Sequence, residues 1–115
     1  MGEFASGGAK AATEGPSLAL GLEKHLEGFS EAVNASTYAE RAGTTRFIPE
    51  AFDRIAENSS RIEFNLQDFS FTKYGEWISR NEPFERGMST NYEFRQIMSK
   101  PNLLDKTTFS FHPGH

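Results

Sequence analysis

The stretch Ser17–Asn34, SLALGLEKHLEGFSEAVN, decides how the rest of the chain is assembled. Ser17 reads as a helix N-cap, and Leu18, Leu22, Leu26, Phe29 and Val33 follow at i, i+4, i+8, i+11 and i+15. That spacing predicts one amphipathic helix ending near Asn34, its apolar stripe on a core and Glu23, Lys24, Glu27 and Glu31 facing away. His25 falls at the edge of the stripe. The preceding residues 1–16 are rich in Gly, Ala, Ser and Pro. They hold too few large apolar groups to offset the entropy of ordering, so they are expected to be a flexible linker, with Met1–Phe4 set aside from fold reasoning. Residues 17–115 are then a single domain.

Beyond this stretch the helical pattern continues twice more. Thr37 and Glu40 stand at capping-box spacing and start a short helix at Tyr38 that Gly43 ends. Ile48, Phe52, Ile55 and Ala56 mark a third helix, with Pro49 in its first turn, where a missing N–H costs nothing. Asn58-Ser59-Ser60 closes it.

The period changes at Arg61–Leu66, RIEFNL. Ile62, Phe64 and Leu66 alternate with Arg61, Glu63 and Asn65, the pattern of a half-buried strand. Thr107–Phe111 alternates in the same way, with Phe109 and Phe111 inward. Two strands need a third partner, and Phe69–Thr72 is the best candidate. Between these strands, Tyr74, Trp77 and Ile78 predict a helix over 73–80, and 81–89 a polar loop. Phe94, Ile97 and Met98 predict a helix from Thr90, and Pro101 a turn that buries Leu103 and Leu104. The expected fold is α+β: N-terminal helices packed on a small, mostly antiparallel sheet with inserted short helices.

Composition narrows the chemistry. The chain has 115 residues and no cysteine, which excludes disulfides, thiol nucleophiles and cysteine zinc sites. Of 15 aromatic residues 11 are Phe, enough for a compact core. Net charge is −4, and it sits in the first half: residues 1–59 hold 5 Lys/Arg against 9 Asp/Glu, and residues 60–115 hold 7 of each. Such a balance announces no broad nucleic-acid-binding face. No apolar run is long enough to span a bilayer, and no signal peptide is visible. Phosphate-binding glycine loops, the dinucleotide fingerprint, the zinc-deaminase pattern and clustered carboxylate–histidine metal sites are all missing from the sequence.

The polar constellation with the best spacing is Arg86, Thr90 and Glu93. It reads either as a catalytic group or as a capped helix start with a solvated arginine. In the catalytic reading Arg86 holds a phosphate, Thr90 orients the substrate or donates to an oxyanion, and Glu93 is the base. His112, at the end of the last strand, is the candidate acid/base partner. Asn65 and Asp68, at the end of the first firm strand, and Arg80 and Lys106 are candidates for holding substrate. Each also reads as turn chemistry or a surface charge. No metal ligand set is expected.

The segments GGAKAATEGPSLALGLEKHLEGFSEAVNASTYAE, IEFNL (Ile62–Leu66) and TNYE (Thr90–Glu93) after Arg86-Gly87 resemble the C-terminal domains of bacterial polymorphic toxins. Those domains end large RHS-repeat or filamentous carriers used in contact-dependent competition. The resemblance implies secretion on a carrier, action in the cytoplasm of a target cell and a cognate immunity protein as partner, with RNA as a possible substrate and no membrane partner. It leaves the reaction open among three readings. The expected one is a metal-independent ribonuclease without cofactor; the alternatives are an ADP-ribosyltransferase using NAD and a non-enzymatic binding module such as an immunity protein or adaptor.

Overall fold

Leu18–Leu20 is a strand, β1, and not the first turn of a helix. The computed structural model describes residues 16–80 and 89–113. The expected linker before Pro16, the loop over 81–88 with Arg86, and His115 lie outside the described residues. All three residues of β1 are buried, because the strand lies inside a sheet with neighbours on both sides. A strand covered on both faces carries a continuous apolar run, and so short a run has no period to separate it from a helix. The Leu18 end of the expected helical stripe therefore belongs to the sheet. The helix proper, α1, is Glu23–Ala32.

Gly21 makes the break between them. It has φ +150°, and a Cβ there would stand 2.9 Å from the Asn65 carbonyl oxygen and 3.1 Å from the Asn65 Cβ. Glycine alone lets the chain pass this close to its neighbour.

The remaining elements are β2 (Ser36–Thr37), α2 (Tyr38–Ala42), α3 (Pro49–Glu57), β3 (Ile62–Asn65), α4 (Phe71–Arg80), α5 (Ser89–Ser99), α6 (Pro101–Leu104) and β4 (Thr107–Ser110). The sheet order is β2-β1-β3-β4, and every pairing is parallel. This corrects the expected mostly antiparallel sheet. Each strand is separated from the next by at least one helix, a crossover that returns the chain in the same direction. Phe69–Thr72 is not the third strand, since Phe71 opens α4.

Several local expectations hold. Thr37 and Glu40 form a full capping box, with the Thr37 N–H donating to Glu40 Oε1 at 2.9 Å. Gly43 ends α2 with φ +76°. Pro49 opens α3, and Asn58 caps it.

Alternation along the strands divides the two faces of the sheet. Leu18, Leu20, Ile62, Phe64 and Leu66 join Phe52, Trp77, Phe94, Ile97 and Leu103 in one core. Phe64 packs edge-on to Phe94 at 5.8 Å, and Phe94 meets Tyr74 at 4.9 Å. Phe29 of α1 stands apart from this cluster and packs on the His112 ring at 5.7 Å, on the face that carries Asn65. Helices thus cover both faces, as in doubly wound parallel sheets. Phe111 was expected inward and is 67% exposed, because pairing stops at Ser110.

Candidate functional site

The strand order reverses between β1 and β3: one chain direction of winding leads to β2, the other to β4. In such sheets the crevice beyond the carboxyl ends of the strands, beside the reversal, is where ligands bind. A cleft of about 620 Å³ opens at the carboxyl ends of β1 and β2, on the β2 side of the reversal. Gly21 and Leu22 line it just after β1, and Thr37 and Tyr38 at the end of β2. From α1 come Glu23, Leu26, Glu27 and Ser30, one face of the helix at i, i+3, i+4 and i+7. Glu40 and Phe47 close one side, and Ser89, Thr90 and Glu93 of α5 the other. The volume lies within the range of small-molecule sites.

Glu93 is the unusual member. It is 6% exposed and makes no hydrogen bond or ion pair with a described residue. Burial without a partner raises its carboxyl from 4.5 to about 8. The expected capping box at Thr90–Glu93 does not form, because α5 already starts at Ser89 and Thr90 lies inside the helix. Packing of α5 through Tyr92, Phe94 and Ile97 turns Glu93 inward with them.

The other anticipated site residues separate. Thr90 shares the cleft with Glu93. His112 does not line it; its ring lies on Phe29 at the ends of β3 and β4. Asn65, 1% exposed, binds the backbone: Nδ2 donates to the His112 carbonyl at 2.8 Å, and Oδ1 accepts from the N–H of His112 at 2.8 Å and of Gln67 at 3.1 Å. This side chain continues the β3–β4 pairing past Ser110. Lys106 precedes β4, at the opposite end of the sheet, where Nζ donates to the carbonyls of Ser59 at 2.7 Å and Glu57 at 3.1 Å. It closes the end of α3, and burial lowers its pKa. Lys106 and Asn65 therefore cannot hold one substrate. Arg80 is exposed at the end of α4. Arg86 lies outside the described residues.

Asp68 belongs to a second polar group. His25 Nε2 lies 2.8 Å from Asp68 Oδ2, and His25 Nδ1 lies 3.1 Å from the Pro113 carbonyl oxygen. Lys24 Nζ is 3.5 Å from the same Asp68 oxygen. The His25 hydrogen bond is the main cause that holds the Asp68 carboxyl below its usual range, with Lys24 adding to it.

Sequence reasoning missed Glu23, Glu27, Glu40 and Tyr38 as cleft residues. The i, i+4 pair Glu23/Glu27 was visible, but it reads as a solvent-facing stripe until β2 and α5 are placed beside it. Among the described residues no group of three or more Asp, Glu or His side chains is placed to hold a metal ion, and no helix is long and apolar enough to cross a membrane.

Fold and site together define a doubly wound parallel sheet with an acidic cleft at its carboxyl edge. Comparison with protein-family models, curated proteins and solved structures gives no match.

Proposed function

We propose that this chain is the enzymatic domain of a toxin used in competition between bacteria, carried out of the producing cell on a larger protein and acting in the target cytoplasm. Glu93 in the carboxyl-edge cleft is its proton carrier, and a cognate immunity protein is its partner. The supporting observation is a buried carboxyl, unpartnered among the described residues and with a pKa of about 8, inside a cleft of ligand size. A carboxyl poised near neutrality both gives and takes protons efficiently. Thr90 stands in the same cleft to orient a bound group.

Two reactions compete, and the charge of the described wall favours one. Metal-independent RNA cleavage builds negative charge on a phosphorane and needs a cation beside it. The described lining holds Glu23, Glu27, Glu40 and Glu93 and no Lys, Arg or His. ADP-ribosyl transfer from NAD instead builds positive charge on the ribose as the bond to the nicotinamide breaks, and carboxylates stabilise such a cation. Positive charge beside Glu93 also lowers its pKa, so that it can take the proton from the attacking acceptor.

Expression of the whole chain in bacterial cytoplasm tests this. Growth arrest that Glu93→Gln relieves is expected. Loss of NAD with intact total RNA identifies the transferase, and RNA fragments with NAD unchanged identify the ribonuclease. Harmless accumulation of the folded chain overturns the toxin reading and leaves a binding module.

A further inference from the structure

The cleft has a distribution of groups that points to its ligand. Glu23 and Glu27 stand one helical turn apart on α1, about 6 Å along its axis. Glu40 lies on the facing wall, and Glu93 is set in the interior. Apolar surface from Leu22, Leu26 and Phe47 lies among these carboxyls. The carboxyls do not converge on a single metal position; the negative charge is drawn out along the cleft. Glu93 is over nine-tenths buried, unpartnered among the described residues, and part of the cleft wall. Such a group is left lacking the partner that a buried polar group requires.

We propose that the cleft binds an organic cation with N–H donors on an aliphatic stem, an alkylammonium or alkylguanidinium, whose head pairs with Glu93 and whose stem lies along Leu22 and Leu26. Several N–H groups on one positively charged head satisfy a carboxylate by charge-assisted hydrogen bonds. The apolar stretch between rim and interior suits methylene groups, as it does the stems of lysine and arginine. Glu23 and Glu27 at the rim attract the cation and hold a second positive group at the other end of the stem. This inference rests on the cleft being the ligand site, as proposed above, and not on toxicity or on either reaction.

A free alkylguanidine and the arginine side chain of a protein share this chemistry, and two probes distinguish them. Agmatine carries a guanidinium and an ammonium on one alkyl stem; a blocked arginine tripeptide presents the side chain alone. Each is titrated into the whole 15N-labelled chain. Saturable shifts at the amides of Leu22–Glu27 and Thr90–Glu93 are expected, weakened at least about tenfold in Glu93→Gln. Glu27→Gln, an exposed change that leaves the core untouched, is expected to weaken agmatine by several-fold and to keep the fold if Glu93→Gln does not. Binding of agmatine alone assigns a free small molecule, and binding of the peptide assigns a protein side chain. No saturation by either probe at about 10 mM overturns the inference, as does an affinity that neither Glu93→Gln nor Glu27→Gln changes from the parent. Loss of growth arrest in Glu93→Gln without cation binding would leave the enzyme reading standing and remove this one alone.

Discussion

Glu93 couples protonation to stability with a definite sign. Its carboxyl titrates at about 8 in the fold against 4.5 unfolded. Between these values the folded chain holds a proton that the unfolded chain has lost, so stability falls as pH rises from about 4.5 to about 8 and then levels. The slope has a ceiling of ~1.4 kcal/mol per pH unit for one proton. Urea unfolding of Glu93→Gln across this range should show a flatter profile and a higher midpoint than the parent above pH 7. Turnover in the same variant should drop by at least ~10²-fold, in line with acid–base contributions. A second residue-scale test is Gly21→Ala. The new methyl would stand 2.9 Å from the Asn65 carbonyl oxygen, in a backbone region hostile to side chains. A loss of ~1–3 kcal/mol by chemical denaturation is expected, the usual cost of overpacking.

Among the elements, β3 carries the most. Phe64 is fully buried and meets Phe94 and Phe109 at 5.8 Å each. Phe64→Ala should cost ~3–5 kcal/mol in urea unfolding, the range for a truncated core Phe. Its period-2 pattern was legible in the sequence because one face is apolar and the other polar. The opposite case is β1. Its three apolar residues are covered on both faces, so the pattern that names a strand is absent. The α4 and α5 helices were readable from their apolar spacing, though not which residues would be covered: Ile78 and Met98 are exposed, and Tyr92 and Glu93 are buried. Helix existence follows from local spacing, whereas the rotation of the helix follows from what it packs against.

Across the whole molecule, His25 ties three distant parts together: α1, the turn after β3, and the chain beyond β4. His25→Leu should speed hydrogen exchange at the His112 amide, which donates to Asn65 beside the clasp, while the core strands stay protected. Asp68 gives this clasp an acid limit. Its folded pKa lies below the 3.8 of the free side chain, so its contribution is present above 3.8 and is lost as pH falls through the lower folded value. Asp68→Asn should flatten the acid limb of a stability profile, and Glu93→Gln the limb above it. The two titrations act on stability in opposite directions.

The sequence by itself determined the caps of α2 at Thr37 and Gly43, Pro49 in the first turn of α3, the alternating strands β3 and β4, and the existence of α3, α4 and α5, while Pro101–Leu104 read only as a turn. Each is written in neighbours a few residues apart, where capping, alternation and proline geometry act. Tertiary structure alone decided that Leu18–Leu20 is a strand, that the sheet is parallel, and that Glu93 faces a cleft with Glu23 and Glu27 while Lys106 lies at the far end. Those outcomes depend on which strands meet, because buried parallel strands lose their period and a residue's side of the sheet is set by partners some forty positions away.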